Sequence, residues 1–226
     1  MPLFGGLNHC AGENMVEFII AEYKGVFAFL RRLARMVLLT AGFFLIAAVA
    51  VHFILTGIYH SEPEQLAMHR EMLYTMMQSK DLIDDSGRIS ALALFFNNFI
   101  ASGMSVALGA IPFLFLSAFT LGLNGALLGM VSAMISGEVP NIFYYLAVSI
   151  APHGVFELPA LFICGAMGMK LCLEVSARML YRPRALPLFG LLGEMLRLMV
   201  LLVVPLLAAA AIVEAYLTPV LMQQLL

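Results

Sequence analysis

The chain has 226 residues, of which 62% are hydrophobic and only 12% are charged. An ordinary soluble domain carries roughly twice that share of charged residues, and a soluble fold of this length cannot bury so much apolar surface. A lipid bilayer solvates apolar side chains, so the composition predicts an integral membrane protein. The formal net charge of −2 gives no electrostatic basis for a nucleic-acid partner.

Residues 1–35 are predicted to form an amphipathic N-terminal segment. Apolar residues recur at helical spacing from Val16 to Leu30, and basic residues cluster toward Arg35. This pattern is typical of a helix lying in the membrane interface, and it fits equally well a solvated helix that continues into the first span.

Residues 36–226 are predicted to form one transmembrane domain of about five spans. Each span is an apolar run long enough to cross about 30 Å of hydrocarbon as a helix. The predicted spans are 36–58, 90–109, 112–136, 141–172 and 195–218. The expected fold class is therefore all-α, a polytopic transmembrane helical bundle with amphipathic interfacial helices.

Residues 59–90 are predicted to be an external loop that carries one amphipathic helix. Ser61-Glu62-Pro63-Glu64 is typical of a helix start, with a capping hydroxyl, acidic residues in the first turn and an early proline. Residues 84–87 (Asp-Asp-Ser-Gly) predict a turn after that helix.

The fourth span is predicted to be a broken helix. It contains Pro152, Gly154 and Pro159 near its middle, and such residues are tolerated at membrane depth where protein groups or a cavity satisfy the freed backbone. We expect the helix to open near His153, and we expect side-chain amides of neighbouring spans to bond the freed carbonyls.

Polar side chains inside the apolar spans are the candidate functional residues, either as a structural network or as a binding site. An intramembrane carboxylate or imidazole is costly and indicates function, whereas hydrogen bonding between helices is the structural alternative. We expect Glu157 to be protonated or hydrogen-bonded to His153 or an asparagine, near the middle of the bundle. The candidates are Asn97, Asn98, Asn124, His153, Glu157 and Glu214.

Small residues and prolines in the spans are predicted to serve helix packing and helix breaks. Gly125 and Gly129 form a GxxxG pair, a spacing that lets two helix backbones approach closely. We expect a homodimer that packs through such faces. The positions are Gly125, Gly129, Pro152, Gly154, Pro159, Gly165, Gly168 and Pro219.

The distribution of Lys and Arg predicts the orientation. The N-terminal segment is basic, and so is the segment that holds Lys170, Arg178, Arg182 and Arg184. Five spans with a cytoplasmic N-terminus place these two basic segments on the same side of the membrane. This arrangement obeys the positive-inside rule. We therefore expect a multi-pass protein of the cell membrane with a cytoplasmic N-terminus.

Several motifs resemble the stage II sporulation protein M family across residues 90–220. They are Phe95-Phe96-Asn97-Asn98, Asn124-Gly125, the nine-residue string at 152–160 (PHGVFELPA), Gly165-Ala166-Met167-Gly168, and the segment from Glu214 to Pro219. The resemblance implies an all-helical integral membrane protein of about five spans. The founding member of that family acts with cell-wall hydrolases during engulfment in endospore formers, a role that these motifs do not transfer to this chain.

The sequence favours a non-enzymatic scaffold or assembly subunit of a membrane complex. Its expected partners are membrane lipids, a second copy of the chain, and other membrane or cell-envelope proteins. The alternative is a transporter or channel for a small solute, ion or lipid with a polar site at the midplane. His153-x-x-x-Glu157 is not the zinc signature His-Glu-x-x-His, and no Gly-x-Ser-x-Gly motif occurs. We therefore expect no enzyme activity, no cofactor and no metal.

Overall fold

The computed structural model describes residues 6–80, 82, 89–180 and 187–223, residues 6–14 by their backbone alone. Within these ranges the chain forms seven helices and no strand. Five of the helices are long and apolar enough to cross a membrane, which confirms the predicted all-α polytopic bundle. The helices are α1 (Gly6–Ser61), α2 (Pro63–Ser79), α3 (Ala91–Ala107), α4 (Leu116–Ser136), α5 (Ile142–Ser149), α6 (Ala151–Met179) and α7 (Leu188–Gln223).

Helix α1 joins the N-terminal segment to the first span without a break at residue 35. This continuity fits both predicted alternatives, a helix in the membrane interface and a solvated helix that continues into the span. At its end, the Ser61 hydroxyl donates to the carbonyls of Gly57 and Ile58, each at 3.1 Å. Ser61 therefore closes α1, and Glu62 precedes α2 without a side-chain capping bond. The predicted turn at 84–87 and the residues Arg182 and Arg184 lie outside the described residues.

Helices α3 and α4 form a hairpin whose turn is longer than predicted. Ser90 caps α3 by accepting a hydrogen bond from the backbone N–H of Ala93 at 3.3 Å. A single 3-10 turn (Leu108–Ala110) ends α3, and α4 begins at Leu116 instead of residue 112. Phe113 and Phe115, between them, have positive φ angles of 65° and 47°. Two left-handed residues cannot continue a right-handed helix, which explains the later start.

The predicted fourth span is divided into α5 and α6, and the break lies at Ile150, three residues before His153. Pro152 occupies the first turn of α6, where its missing N–H leaves no hydrogen bond unmade. Pro159 lies inside α6 without ending it. Helix α6 continues to Met179, beyond the predicted limit at residue 172.

The glycines of the predicted dimer faces pack within the chain. A Cβ on Gly125 or Gly129 would meet the backbone of α1, and a Cβ on Gly165 would meet the side chain of Leu121. A Cβ on Gly168 would meet Ser117 and the backbone of α3. Close backbone approach is therefore used between α1, α3, α4 and α6, and these faces are not free for a second copy.

Helix α1 is much longer on its N-terminal side than a membrane crossing requires. Ala47 of α1 lies against Gly125, next to the middle of the 21-residue helix α4. About 20 residues of α1 around Ala47 suffice to cross the hydrocarbon, so residues 15–35 are not needed for the crossing. We call these residues, together with Leu188–Leu198 of α7, the N-terminal extension.

The N-terminal extension has its own apolar core and two ion pairs. Val26, Phe29 and Leu33 of α1 are buried against Leu191 and Met195 of α7. At the edges of this contact, Arg32 pairs with Glu194, and Arg197 pairs with Glu22 at 3.3 Å. The two segments of the N-terminal extension are therefore held together by apolar burial, with the ion pairs at its edges.

Candidate functional site: a polar cavity between the helices

The six polar residues singled out from the sequence line one cavity of about 300 Å³. They come from four helices that are distant in sequence. Asn97 and Asn98 are on α3, Asn124 is on α4, His153 and Glu157 are on α6, and Glu214 is on α7. The bundle therefore brings together every member of the predicted polar set.

His153, Glu157 and Glu214 form the centre of this site. One ligand atom from each side chain lies within 4.8 Å of the other two. His153 and Glu157 are one helical turn apart on α6, so they project from the same face of the helix. Glu214 reaches them from α7, which makes the cluster a contact between two spans.

The backbone of α7 forms a wider helical turn at Glu214. Residues Val213–Leu217 form a π-helical turn, and Thr218 and then Pro219 follow it. Pro219 has no N–H to give to an earlier carbonyl, so the hydrogen-bond ladder must rearrange on its N-terminal side. π-Turns of this kind often occur at functional sites because they shift the direction of the side chains they carry.

Thr218 connects the π-turn to the imidazole. Its hydroxyl lies 3.5 Å from His153 Nδ1 and donates to the carbonyl of Val213 at 3.3 Å. A hydroxyl has one hydrogen, so a Thr218 that donates to Val213 can only accept from His153. With Thr218 as the acceptor, the proton of a neutral imidazole would be on Nδ1 and a lone pair would be left on Nε2.

The asparagines do not bond the backbone of α6, contrary to the prediction. The Asn124 amide donates to the carbonyl of Thr120 on its own helix at 2.8 Å. The Asn97 amide donates to Asn98 Oδ1 at 3.2 Å, and Lys80 Nζ donates to Asn97 Oδ1 at 3.1 Å at the exposed edge. The break at Ile150 precedes the polar residues and does not present its carbonyls to them. The asparagine amides therefore line the cavity and form no bond to the backbone of α6.

The cavity lies near the middle of the bundle, displaced toward the α2 side. Leu121 lies against Gly165 and Ser117 against Gly168, so α4 and α6 run antiparallel. The middle of α4 is therefore level with about residue 160 of α6, and Glu157 lies roughly 5 Å from that level. Toward the N-terminal side, the cavity meets the apolar cluster of Phe44, Leu121 and Leu161.

Sequence reasoning missed several residues of this site. Thr218 was visible only as part of a motif, since a threonine beside a proline does not indicate an imidazole neighbour. Met77 lines the cavity from the last turns of α2 and Leu82 from the segment after it, and no sequence motif marked either residue. Phe44 and Leu161 close one end, and in so apolar a chain nothing distinguishes them from other packing residues.

The fold and the cavity define a polytopic helical membrane protein with a polar site among its spans. The family model of stage II sporulation protein M matches residues 36–219, and the chain belongs to that family. This result confirms the resemblance seen in the sequence motifs, and it covers all five spans. A search of curated proteins and a search of solved structures each found no match.

Proposed function

We propose that this protein is a non-enzymatic scaffold or assembly subunit of a membrane complex, and that the N-terminal extension is its docking surface. The observation that carries the proposal is a large exposed apolar surface on this extension, which a membrane crossing by α1 does not require. A large exposed apolar patch marks a site of interaction with protein or membrane, and we assign this one to a protein.

The exposed residues of the extension lie on both of its helices. Phe18 of α1 is 64% exposed, and Phe189 of α7 is 90% exposed. Between the helices, an apolar groove of about 340 Å³ has the Glu22–Arg197 ion pair in its wall. The remaining exposed apolar side chains of the surface are Met15, Val16, Ile19, Ile20, Tyr23, Phe27, Leu192 and Leu196.

The proposed occupant is an apolar helix face of another membrane protein, where that helix leaves the bilayer. A helix in a groove buries its apolar residues at a spacing of three and four, which suits a groove between two helices. The small-residue faces that suggested a homodimer are occupied within the chain. The family model begins at residue 36, so most of the α1 part of this surface lies outside the region shared with the family.

Transport is less well supported than docking. The polar cavity gives a place to bind a small solute or ion. On the N-terminal side, however, Phe44 and Leu121 are buried at 2% and 0% exposure, and they separate the cavity from that side of the bundle. Passage across the membrane would require this packed cluster to open, whereas binding at the cavity requires no movement.

The orientation belongs to the same proposal. The N-terminal extension is placed in the cytoplasm by the positive-inside rule, and α2 is placed outside. Ser79 is exposed at the end of α2, and Leu180 is 56% exposed after α6. In a variant with Cys10→Ser, Ser79→Cys should react with a membrane-impermeant thiol reagent in intact cells, and Leu180→Cys should not. The reverse pattern would overturn the orientation.

The docking surface is tested by the size of the complex in mild detergent. The double variant Ile19→Lys and Leu196→Lys places charges on the groove, so we expect the complex to dissociate to the single chain. Tyr74→Lys, at an exposed site of α2, is the matched control and should leave the complex intact. Melting of the isolated chain should be the same in all variants. A complex that survives the double variant would overturn the proposal.

A photo-crosslinking residue at Phe18 identifies the occupant. We expect a conjugate with a different membrane protein, and a reciprocal crosslink from that protein back to the extension. A conjugate with twice the mass of the chain would show that the surface joins two copies instead.

A further inference from the structure

The two carboxylates of the cavity lack partners among the described residues. Neither Glu157 nor Glu214 forms a hydrogen bond or ion pair with any side chain or backbone group that the structure describes. Two ionised carboxylates this close repel each other strongly in surroundings of low dielectric constant. Lys80, which reaches the cavity wall, bonds to Asn97 at the exposed edge. A bound cation would compensate the negative charge of the two carboxylates in their ionised form.

We propose that His153, Glu157 and Glu214 bind one divalent metal ion of the series from Mn²⁺ to Zn²⁺. Two carboxylates neutralise a divalent ion, so the loaded site has no net charge in an apolar bundle. The imidazole selects this series, because Mg²⁺ and Ca²⁺ prefer oxygen ligands alone. Ligand atoms within 4.8 Å of one another can converge on one ion after small side-chain adjustments.

Thr218 is the positioning residue of this site. By accepting from Nδ1, it fixes the imidazole tautomer that leaves Nε2 free to bind the metal. Ligating histidines usually have such a partner on their other nitrogen, and loss of that partner weakens metal binding about 10–100-fold. The cavity of about 300 Å³ has room for water molecules to complete the coordination, with the asparagine amides as their hydrogen-bond partners.

The bound ion would link α6 to the π-turn of α7. Besides their apolar packing, these two elements share a polar contact between His153 and Thr218, which at 3.5 Å is long for a hydrogen bond. A metal–ligand link is much stronger than this hydrogen bond, so the ion would stabilise the closed arrangement of the bundle. This inference concerns the polar cavity and does not depend on the docking surface.

The first test is metal binding by the full-length wild-type chain in detergent. The protein is stripped with a chelator, titrated separately with Zn²⁺ and Mn²⁺ by calorimetry, and analysed for metal after gel filtration. We expect one ion per chain for at least one of the two metals, and a higher melting temperature when it is bound. Less than half an equivalent of both metals would overturn the proposal.

The second test compares ligand variants with matched controls. Glu157→Gln and Glu214→Gln keep side-chain shape but remove a charged ligand, and each should weaken binding at least tenfold. His60→Gln and Glu71→Gln change exposed residues on the α2 side and should bind as the wild type does. Unchanged affinity in both glutamate variants would overturn the assignment.

The third test does not need a variant that alters a ligand. X-ray absorption of the wild-type protein with one equivalent of metal should show nitrogen and oxygen neighbours, including the pattern of an imidazole ring. Sulfur neighbours would place the ion on cysteines and overturn the site. Thr218→Val should weaken binding about tenfold while the stoichiometry stays at one, because it removes the partner of Nδ1 and no ligand. Unchanged affinity in Thr218→Val would remove the positioning role of this residue.

Discussion

The two halves of the bundle differ in whether the polar side chains compared below have hydrogen-bond partners. On the N-terminal side, the Ser117 hydroxyl donates to the carbonyl of Ser105 at 2.6 Å, and Thr120 donates to the Ser105 hydroxyl at 3.1 Å. Ser105 and Ser117 are fully buried, at 0% exposure. On the α2 side, Glu157 and Glu214 face a cavity and have no partner among the described groups.

This difference separates structural polar residues from functional ones. Hydroxyls of the packed half satisfy backbone carbonyls and allow helices to approach closely, as interhelical bonds do in membranes. Carboxylates of the cavity half gain nothing from packing, and they are costly unless a ligand compensates them. Substitutions in the packed half should therefore affect stability, whereas substitutions in the cavity should affect binding.

The largest effect is expected from Leu121→Ala. Leu121 is fully buried against Gly165 and forms part of the cluster that closes the cavity. Its removal leaves a void, and we expect a loss of about 3 kcal/mol in the free energy of unfolding. Reversible unfolding in mixed micelles measures this loss in the free energy of unfolding. Leu123→Ala, on the exposed side of the same helix at 50% exposure, is the control and should lose much less. Equal losses would contradict the packed cluster.

A smaller loss is expected from Gly168→Ala. The added Cβ would collide with Ser117 and with the backbone of α3, neither of which can move freely. Overpacking of this kind costs about 2 kcal/mol. Gly103→Ala is the matched variant, since nothing lies within 4 Å of its new Cβ. It should be neutral or slightly stabilising because alanine favours helix. A Gly168→Ala protein as stable as Gly103→Ala would contradict the close approach of α3 and α6.

In the cavity half, Glu157→Gln should raise the free energy of unfolding, whereas Leu121→Ala and Gly168→Ala should lower it. Without metal, and at a pH where both carboxylates are ionised, it removes the repulsion between two carboxylates within 4.8 Å, so we expect stability to rise by up to about 1 kcal/mol. The measurement is melting of chelator-treated protein, with the exposed Glu71→Gln as the control. Unfolding of the Glu157→Gln variant would mean that the carboxylate has a structural partner.

The smallest effect is expected from Lys80→Ala. The hydrogen bond from Lys80 to Asn97 lies at an exposed position, where such bonds contribute less than about 0.5 kcal/mol. Unfolding in mixed micelles should therefore give a free energy within that range of the wild type. A loss comparable to that of Gly168→Ala would show that the cavity edge is as closely packed as the other half of the bundle.

The spans and the members of the polar site were predictable from the sequence, but the contacts of the site were not. Long apolar runs fix where helices form in a membrane, so all five spans were found despite errors at their ends. The prediction that Asn124 would bond α6 was wrong because its amide reaches the Thr120 carbonyl of its own helix. A side-chain amide can bond to a carbonyl of its own helix or of a neighbouring helix, and only the packing of the helices decides which bond forms.

The sequence by itself determined that this is a helical membrane protein of the stage II sporulation protein M family, because apolar run length and motif identity are local properties. Only the tertiary structure decided that Glu214 joins His153 and Glu157, and that Gly125 and Gly129 serve the chain itself. Both depend on which helix faces which neighbour. In a chain so rich in apolar residues, helical periodicity does not specify that pairing, because every face of a span can meet either lipid or protein.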